Sequence, residues 1–480
     1  MAGRPDLAVA RSLRAGQLPP LAQLVATLGL EGRWGGDAVL NGADPLLRSP
    51  HHLGEATAYA LLLEGIAASC VWKHRGGGDA SLAVDIVDAL HALHSTHFLQ
   101  HAGYSLSVGA EFVPTNGIYV CRDGRSIMIE AGPPYAKLER GYLNFFDCGN
   151  NRESIAREIA RFDAEDLQEK LSALGLPACI ARTRQEWLAH PQGALLAATP
   201  VIEITKLAPG NPKGLAGRSD TPLAGTRILD FTHVLAGPRS MRSLAQYGAE
   251  VLHISSPYHR DTVSQNLLVN LGKRSAYLLL TEAAAATRMR ELVAGADVFA
   301  CSYRPAVAAR FGLEPASLAR ASDGIVCLSV NAYGHAGPWQ ERPGFDQNGQ
   351  VATGFAAAEG GAGKPRFSPV FYLNDLLTAY LAAAGVMCAL LRRAIEGGSY
   401  EVKVSLARSA MWVQDLGAFG EAEYRDLPAS DAYPARLRTV QTDCGEITEL
   451  AAEVRATDLP RVDLALARPF GADPARWRTD

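Results

Sequence analysis

An α/β fold is predicted by three features of the sequence. Strand and helix patterns alternate, with short connections, from 226 to 330. A Pro/Gly-rich stretch, "LAPGNPKGLAGRSDTPLAG" (207–225), stands just ahead of them. Further upstream, "NGIYVCRDGRSIMIE" (116–130) carries the alternation and the Asp-Gly turn of a β-hairpin. Alternation of the first kind implies a parallel sheet covered on both faces. The expectation is a Rossmann-like open parallel sheet domain plus a smaller α+β domain, and 480 residues suffice for two or three cores.

Taken in order, residues 1–48 are weakly patterned and read as an N-terminal extension. An apolar helical run, "ATAYALLLEGIAASCVWKH", meets a Gly turn, a strand-like "LAVDIV" and a second helix, so 49–110 form one unit, placed in a nucleotide-fold layer. The hairpin, helices at 151–173 and 183–190 and the strand that follows make a small α+β domain over 111–205. A linker covers 206–224. Over 225–420, "TRILDF", "AEVLHI", "SAYLLL", "DVFACS" and "GIVCLSV" are strands, while "RSMRSLAQYG" and "AAATRMRELVAGA" are helices. Residues 421–480 are a C-terminal tail.

One unit occurs twice. "TAYALLLEGIAASCVWKHRGGG" (57–78) resembles "TAYLAAAGVMCALLRRAIEGG" (378–398), and each copy precedes a short strand. Three residues before Thr378 stands Asp375; three before Thr57 stands Gly54.

Net charge is −4, which gives no electrostatic support for nucleic-acid binding. The 8 cysteines are scattered singly, as reduced thiols of a cytoplasmic protein would be. The 12 histidines make no metal-ligand spacing, so no metal is expected. No signal segment opens the chain, and the apolar stretch 376–391 is too short or too alanine-rich for a membrane span.

Read as residues alone, Asn374-Asp375 before an apolar helix is an N-cap. A carboxylate there also feels the positive end of the helix dipole, stays ionised and can act as a nucleophile. Asp346, after Pro343-Gly344-Phe345, is a turn residue or a group that orients that nucleophile. Lys273-Arg274 opens a strand and Arg304 follows one, at the end where ligands of such folds bind. Guanidinium groups suit phosphates. "LAGPRS" (235–240) opens a helix whose N–H groups favour anions, but it is not G-x-G-x-x-G, which disfavours an NAD-dependent oxidoreductase.

Five segments in order, "ILDFTHVLAGPRSMRSLAQYGAEVLHI", "LGKRSAYLLL", "DVFACSYRPAVAARFGL", "LSVNAYGHAGPWQERPGFD" and "NDLLTAY", resemble the family III CoA-transferases. That superfamily includes formyl-CoA and carnitine-CoA transferases and 2-methylacyl-CoA racemases. Residues 116–192 resemble its small domain, which usually follows the nucleotide fold and here precedes it. That order suggests a permutation or a truncated tandem fusion.

The resemblance implies an Asp375 nucleophile, with Asp346 as a second catalytic carboxylate. It also implies coenzyme A as substrate rather than resident cofactor, held by Ala236, Gly237, Arg239, Lys273, Arg274, Tyr303 and Arg304. The implied reaction moves CoA from an acyl-CoA to a small carboxylic acid through an aspartyl anhydride and an aspartyl-CoA thioester, in a homodimer. The racemases carry His where this chain has Phe345, which has no proton to exchange. Ser255-Ser256 replaces an acidic residue common in the family, and Gly54 leaves at most one site per chain. A non-catalytic acyl-CoA-binding paralogue and a racemase are the alternatives.

Overall fold

The computed structural model describes residues 12–106, 113–132, 135–215, 220–258, 261–361, 363–370, 372–428 and 432–478. Its centre is a seven-stranded sheet. In spatial order the strands are Arg274–Tyr277, Glu250–Ser255, Arg227–Phe231, Val298–Cys301, Val326–Asn331, Ser399–Ser405 and Glu203–Ala208. The first six run parallel, and strand order reverses at Arg227–Phe231. Their carboxyl ends therefore open a crevice on one side of the sheet, where such folds bind ligands. Glu203–Ala208, grouped by its sequence with the small domain, instead closes the edge by pairing antiparallel with Ser399–Ser405. Its alternation satisfies either sheet; only the free edge decides.

The sheet's strands are nearly continuous apolar runs because both faces are covered. The deepest cover is the Leu373–Glu396 helix. By length and composition it could cross a membrane, yet it is buried in the core, between the sheet and the Leu53–His74 helix. An all-round apolar helix is what a core position demands.

The sequence repeat is a structural one. Leu53–His74 leads into the strand Ser81–Asp85 and the helix Ile86–Ala92. Leu373–Glu396 leads likewise into Ser399–Ser405 and Leu406–Asp415. The first copy belongs to a second, four-stranded sheet with Ser12–Arg14, Ala38–Asn41 and, from the far end of the chain, Val454–Thr457. The C-terminal residues are thus part of two lobes. They add a strand to one, and at 473–478 they lie along the large sheet, where Arg274 donates to the carbonyls of Arg476 at 2.8 Å and Pro474 at 3.3 Å.

The small domain is a three-stranded antiparallel sheet, Asn116–Val120, Ser126–Glu130 and Ala178–Ile180, with its own apolar core. Gly124, at φ +78°, makes the expected turn. A helix not read from the sequence, Ala136–Phe146, faces the crevice. The Ser126–Glu130 strand packs on the short helix Asp346–Ala352, which lays this domain over the carboxyl ends of the large sheet.

Candidate active site

Between the small domain and the large sheet lies a cleft of about 680 Å³. One wall is the Ala136–Phe146 helix and residues 174–177; the other is the turn after Arg227–Phe231, the turn after Val298–Cys301 and residues 330–332. Asp375 lines it, in the first turn of the Leu373–Glu396 helix.

Asp375 is not the cap of its helix. The cap residue is Tyr372, and Asp375 is the third helical residue, 5% exposed. Its own N–H donates to Asp346 Oδ2 at 2.8 Å, and the Asn374 amide donates to the Asp346 carbonyl at 2.9 Å. The Asp346 carboxylate therefore does the capping, from the start of the neighbouring Asp346–Ala352 helix, and Gln350 Nε2 holds its other oxygen at 2.6 Å. The backbone N–H of Ala236 in turn faces the Asp375 carboxylate.

A third carboxyl, unread in the sequence, completes the pattern. Glu130, at the end of the small domain's middle strand, is buried and takes a hydrogen bond from the backbone N–H of Asn348. Glu130 thus meets the first turn of one helix, Asp346 that of a second, and Asp375 that of a third. All five residues of its strand are buried, so no alternation marked Glu130 as special.

This burial overturns the expectation that Asp375 stays ionised. Desolvation, and then the Asp346 charge, push the Asp375 carboxyl well above the usual carboxylate range; the Ala236 N–H opposes this. Burial raises Asp346 to about 7, against hydrogen bonds that favour its ionised form. Glu130 is pushed up by burial and by Asp346 and Asp375. Of the three, Asp346 has the most donors.

The turn that brings Ala236 to Asp375 is held in a strained shape. Val234 has φ +66°, an outlier for a β-branched residue. Its N–H donates to Asp261 Oδ2 at 3.0 Å, and Tyr135 of the small domain donates to Asp261 Oδ1 at 2.7 Å. Tyr135 stacks on Phe345, with centroids 5.6 Å apart, so the two domains share one clamp. Gly237 is needed for packing: a Cβ there would sit 2.5 Å from Thr232 Cβ.

Of the residues expected to hold CoA, Ala236, Gly237, Tyr303 and Arg304 line the cleft. Three do not. Lys273 is 0% exposed, and its ammonium donates to Asp230 Oδ2 at 2.8 Å, Pro238 O at 2.6 Å and Asn270 Oδ1 at 2.9 Å. All its donors are used inside the sheet domain, where Lys273 and His253 hold Asp230 below the usual carboxylate range against the cost of its burial. Arg274 is spent on the C-terminal segment. Arg239, buried, bonds Ser243 at 2.8 Å and Glu453 at 3.1 Å and lies over the Tyr380 ring. A cation next to a strand or at a helix start can face either side, and here these three face inward. Lys137, on the unread helix, is an exposed cation of the cleft wall. Thr115, Asn116 and Gly117, at the start of the small domain's hairpin, do not line the cleft.

The repeat has a counterpart of the acidic pair. In the Leu53–His74 helix the third residue is Glu55, and its N–H donates to Asp44 Oδ2 at 2.8 Å. Glu55, not Gly54, therefore stands where Asp375 stands in the other copy. Its carboxylate is tied to His52 Nδ1 at 2.7 Å and does not line the cleft.

Residues 223–459 match the family model described as CoA-transferase family III. An acetyl-coenzyme A transferase of Hypoxylon pulicicidum is 36% identical over 228 residues, covering 46% of this chain and 37% of that protein. The beta subunit of a succinyl-CoA–L-malate CoA-transferase of Chloroflexus aurantiacus is 30% identical over 210 residues, covering 40% and 51%. The crystal structure of Rv3272 from Mycobacterium tuberculosis has 31% identity and a TM-score of 0.38, covering 41% of this chain and 58% of that one. The matched region spans about half, or less, of the length of these relatives.

Proposed function

We propose, from the match of residues 223–459 to CoA-transferase family III, that this chain transfers CoA from an acyl-CoA to a carboxylic acid, with Asp375 as the nucleophile. The observation that carries this reading is the placement of Asp375. Among the carboxyls of the acidic cluster it is the one that lines the cleft, with its backbone fixed by Asp346 and its carboxylate on the Ala236 N–H.

In the proposed sequence one Asp375 oxygen attacks the thioester carbonyl carbon, and the C–S bond breaks. The products are an aspartyl anhydride and CoA thiolate. The thiolate attacks the aspartyl carbonyl of the anhydride, releasing the first acid and leaving an aspartyl-CoA thioester. The acceptor carboxylate attacks that thioester, giving a new anhydride and thiolate, and the thiolate then takes the acceptor's acyl group and frees Asp375. Each step preserves an activated acyl bond. Asp346 positions Asp375, and exposed Lys137 and Arg304 at the mouth supply charge for CoA phosphates. Phe345, stacked on Tyr135, offers no group for proton exchange, which disfavours a racemase.

The test uses isotope exchange between an acyl-CoA and its own labelled acid, which needs no other acceptor. Asp375→Asn keeps the side chain's size and should fold and bind CoA. Exchange should fall at least about 1,000-fold, as for loss of a covalent nucleophile. Wild-type protein should carry a hydroxylamine-sensitive adduct on the 371–385 peptide. An active Asn variant, or an adduct on Asp346, overturns the assignment.

A further inference from the structure

Between the strand Arg227–Phe231 and the helix Ala236–Gln246, three successive backbone N–H groups are each taken by a side chain. Thr232 N–H donates to Asp230 Oδ1 at 3.2 Å, His233 N–H to Ser302 Oγ at 3.0 Å and Val234 N–H to Asp261 Oδ2 at 3.0 Å. Asp230 ends the strand before the turn, Ser302 follows Val298–Cys301, and Asp261 precedes the helix Val263–Val269. The third bond holds the strained residue. Val234 sits at φ +66°, where a β-branched side chain crowds its own backbone. Valine left to itself returns to negative φ, and that change redirects the two residues that follow, Leu235 and Ala236.

The position of Ala236 bears on the proposed function, on which this inference rests. Its N–H faces the Asp375 carboxylate. When CoA thiolate adds to the aspartyl carbonyl carbon of the anhydride, the C=O electron pair moves onto oxygen. It returns as the bond to the first acid breaks. When the acceptor carboxylate adds to the aspartyl-CoA thioester, the pair moves and returns in the same way as the C–S bond breaks. In both steps negative charge develops on an oxygen of Asp375 itself, and a fixed N–H beside that oxygen lowers the barrier.

Asp261 also reaches the other domain. Its Oδ1 takes the Tyr135 hydroxyl at 2.7 Å. Tyr135 stacks on Phe345, and the next residue, Asp346, fixes the Asp375 N–H. One carboxylate thus joins the small domain to the turn that carries the donor.

We infer that Asp261 is a positioning residue for the transfer: it holds Val234 in the left-handed conformation that brings the Ala236 N–H to Asp375, and it ties that turn to the small domain through Tyr135.

The test uses the full chain and measures kcat and KM for exchange between an acyl-CoA and its own labelled acid. The donor is whichever of acetyl-, butyryl- and succinyl-CoA the wild type turns over fastest. Asp261→Ala removes both bonds. Val234 should then leave the left-handed region, and kcat should fall about 10- to 100-fold, the range set by one strained non-glycine φ. KM should rise with the loss of the Tyr135 bond. Glycine adopts positive φ unaided, so Asp261→Ala/Val234→Gly should recover most of kcat and leave KM raised. Asp261→Asn should also recover kcat, since its oxygen can take the Val234 N–H while its amide donates to the Tyr135 oxygen. A residue that only held the fold together would not be rescued by cutting back the side chain two residues before Ala236. Thermal melts check that each variant is folded. A kcat for Asp261→Ala within about threefold of wild type, or a double variant no faster than Asp261→Ala, overturns the inference; wild-type exchange with the adduct on Asp375 then leaves the proposed function standing. If the Ala variant does not fold, Asp261→Asn decides alone, and a kcat about tenfold or more below wild type overturns the inference. Absence of exchange and adduct from wild type with all three donors removes the inference and the proposed function together.

Discussion

Replacing Lys273 with Met separates folding from binding. The ammonium is fully buried and gives three hydrogen bonds, to Asp230, Pro238 O and Asn270. Methionine keeps most of the volume and removes all three. Truncating one partner of a buried ion pair costs about 3–5 kcal/mol, because the other charge is left uncompensated. His253 Nδ1 lies 3.2 Å from the same Asp230 oxygen and can take part of that charge, so the lower end, about 3 kcal/mol, is expected. That is a large share of a typical stability of about 5–15 kcal/mol. Urea unfolding followed by circular dichroism reads the loss, and removing the opposite charge as well, in Asp230→Asn/Lys273→Met, should recover much of it. Calorimetric CoA titration of the folded variant should stay within about twofold of wild type, since no atom of Lys273 reaches the cleft. Near-normal stability with CoA affinity down tenfold or more would refute this reasoning and return Lys273 to phosphate binding.

Removing Lys137 and Arg304 together should weaken CoA by about tenfold, a discounted value for solvent-exposed charges, and pantetheine hardly at all; equal losses for both ligands would assign them a folding role. Asp375 must be ionised to attack, so acylation should fade as pH drops through its raised value. Asp346→Asn, which still accepts the Asp375 N–H, removes the like charge and should move that acid limb to lower pH; an unmoved limb contradicts the coupling. The same variant bears on stability. Asp346 binds its proton more tightly folded (about 7) than unfolded (3.8), so its carboxylate costs stability increasingly as pH rises between those values. Thermal melts should then favour the Asn variant more at pH 8 than at pH 4. Tyr135→Phe breaks the clamp on Asp261, worth about 1.5–3 kcal/mol for a bond to a charged acceptor; a raised KM should accompany the loss, and an unchanged KM would limit Tyr135 to a structural contact.

Most strands of the large sheet and the order of the site's motifs could be read from the sequence alone. Strands from "TRILDF" to "GIVCLSV" were legible because parallel, doubly covered strands leave continuous apolar runs, and the repeat was legible because both copies must cover a core. Asp375 and Asp346 were singled out by motif order, each beside a helix start. What each charged side chain faces was settled only by tertiary structure. Lys273, Arg239 and Arg274 stand at positions equally able to point into the cleft or into the core, and packing turned all three inward. Glu130 lies on a strand with no exposed face and meets Asp375 only because the small domain folds over the sheet's carboxyl ends. Matching "TAY" in the two repeats aligned Gly54 with Asp375, whereas the helix starts and the Asp44 and Asp346 hydrogen bonds align Glu55. Periodicity records which face of an element is apolar. Contacts between distant elements depend on how those faces are stacked, and desolvation inside that stack decides whether a carboxylate is a cap, a charge or a nucleophile.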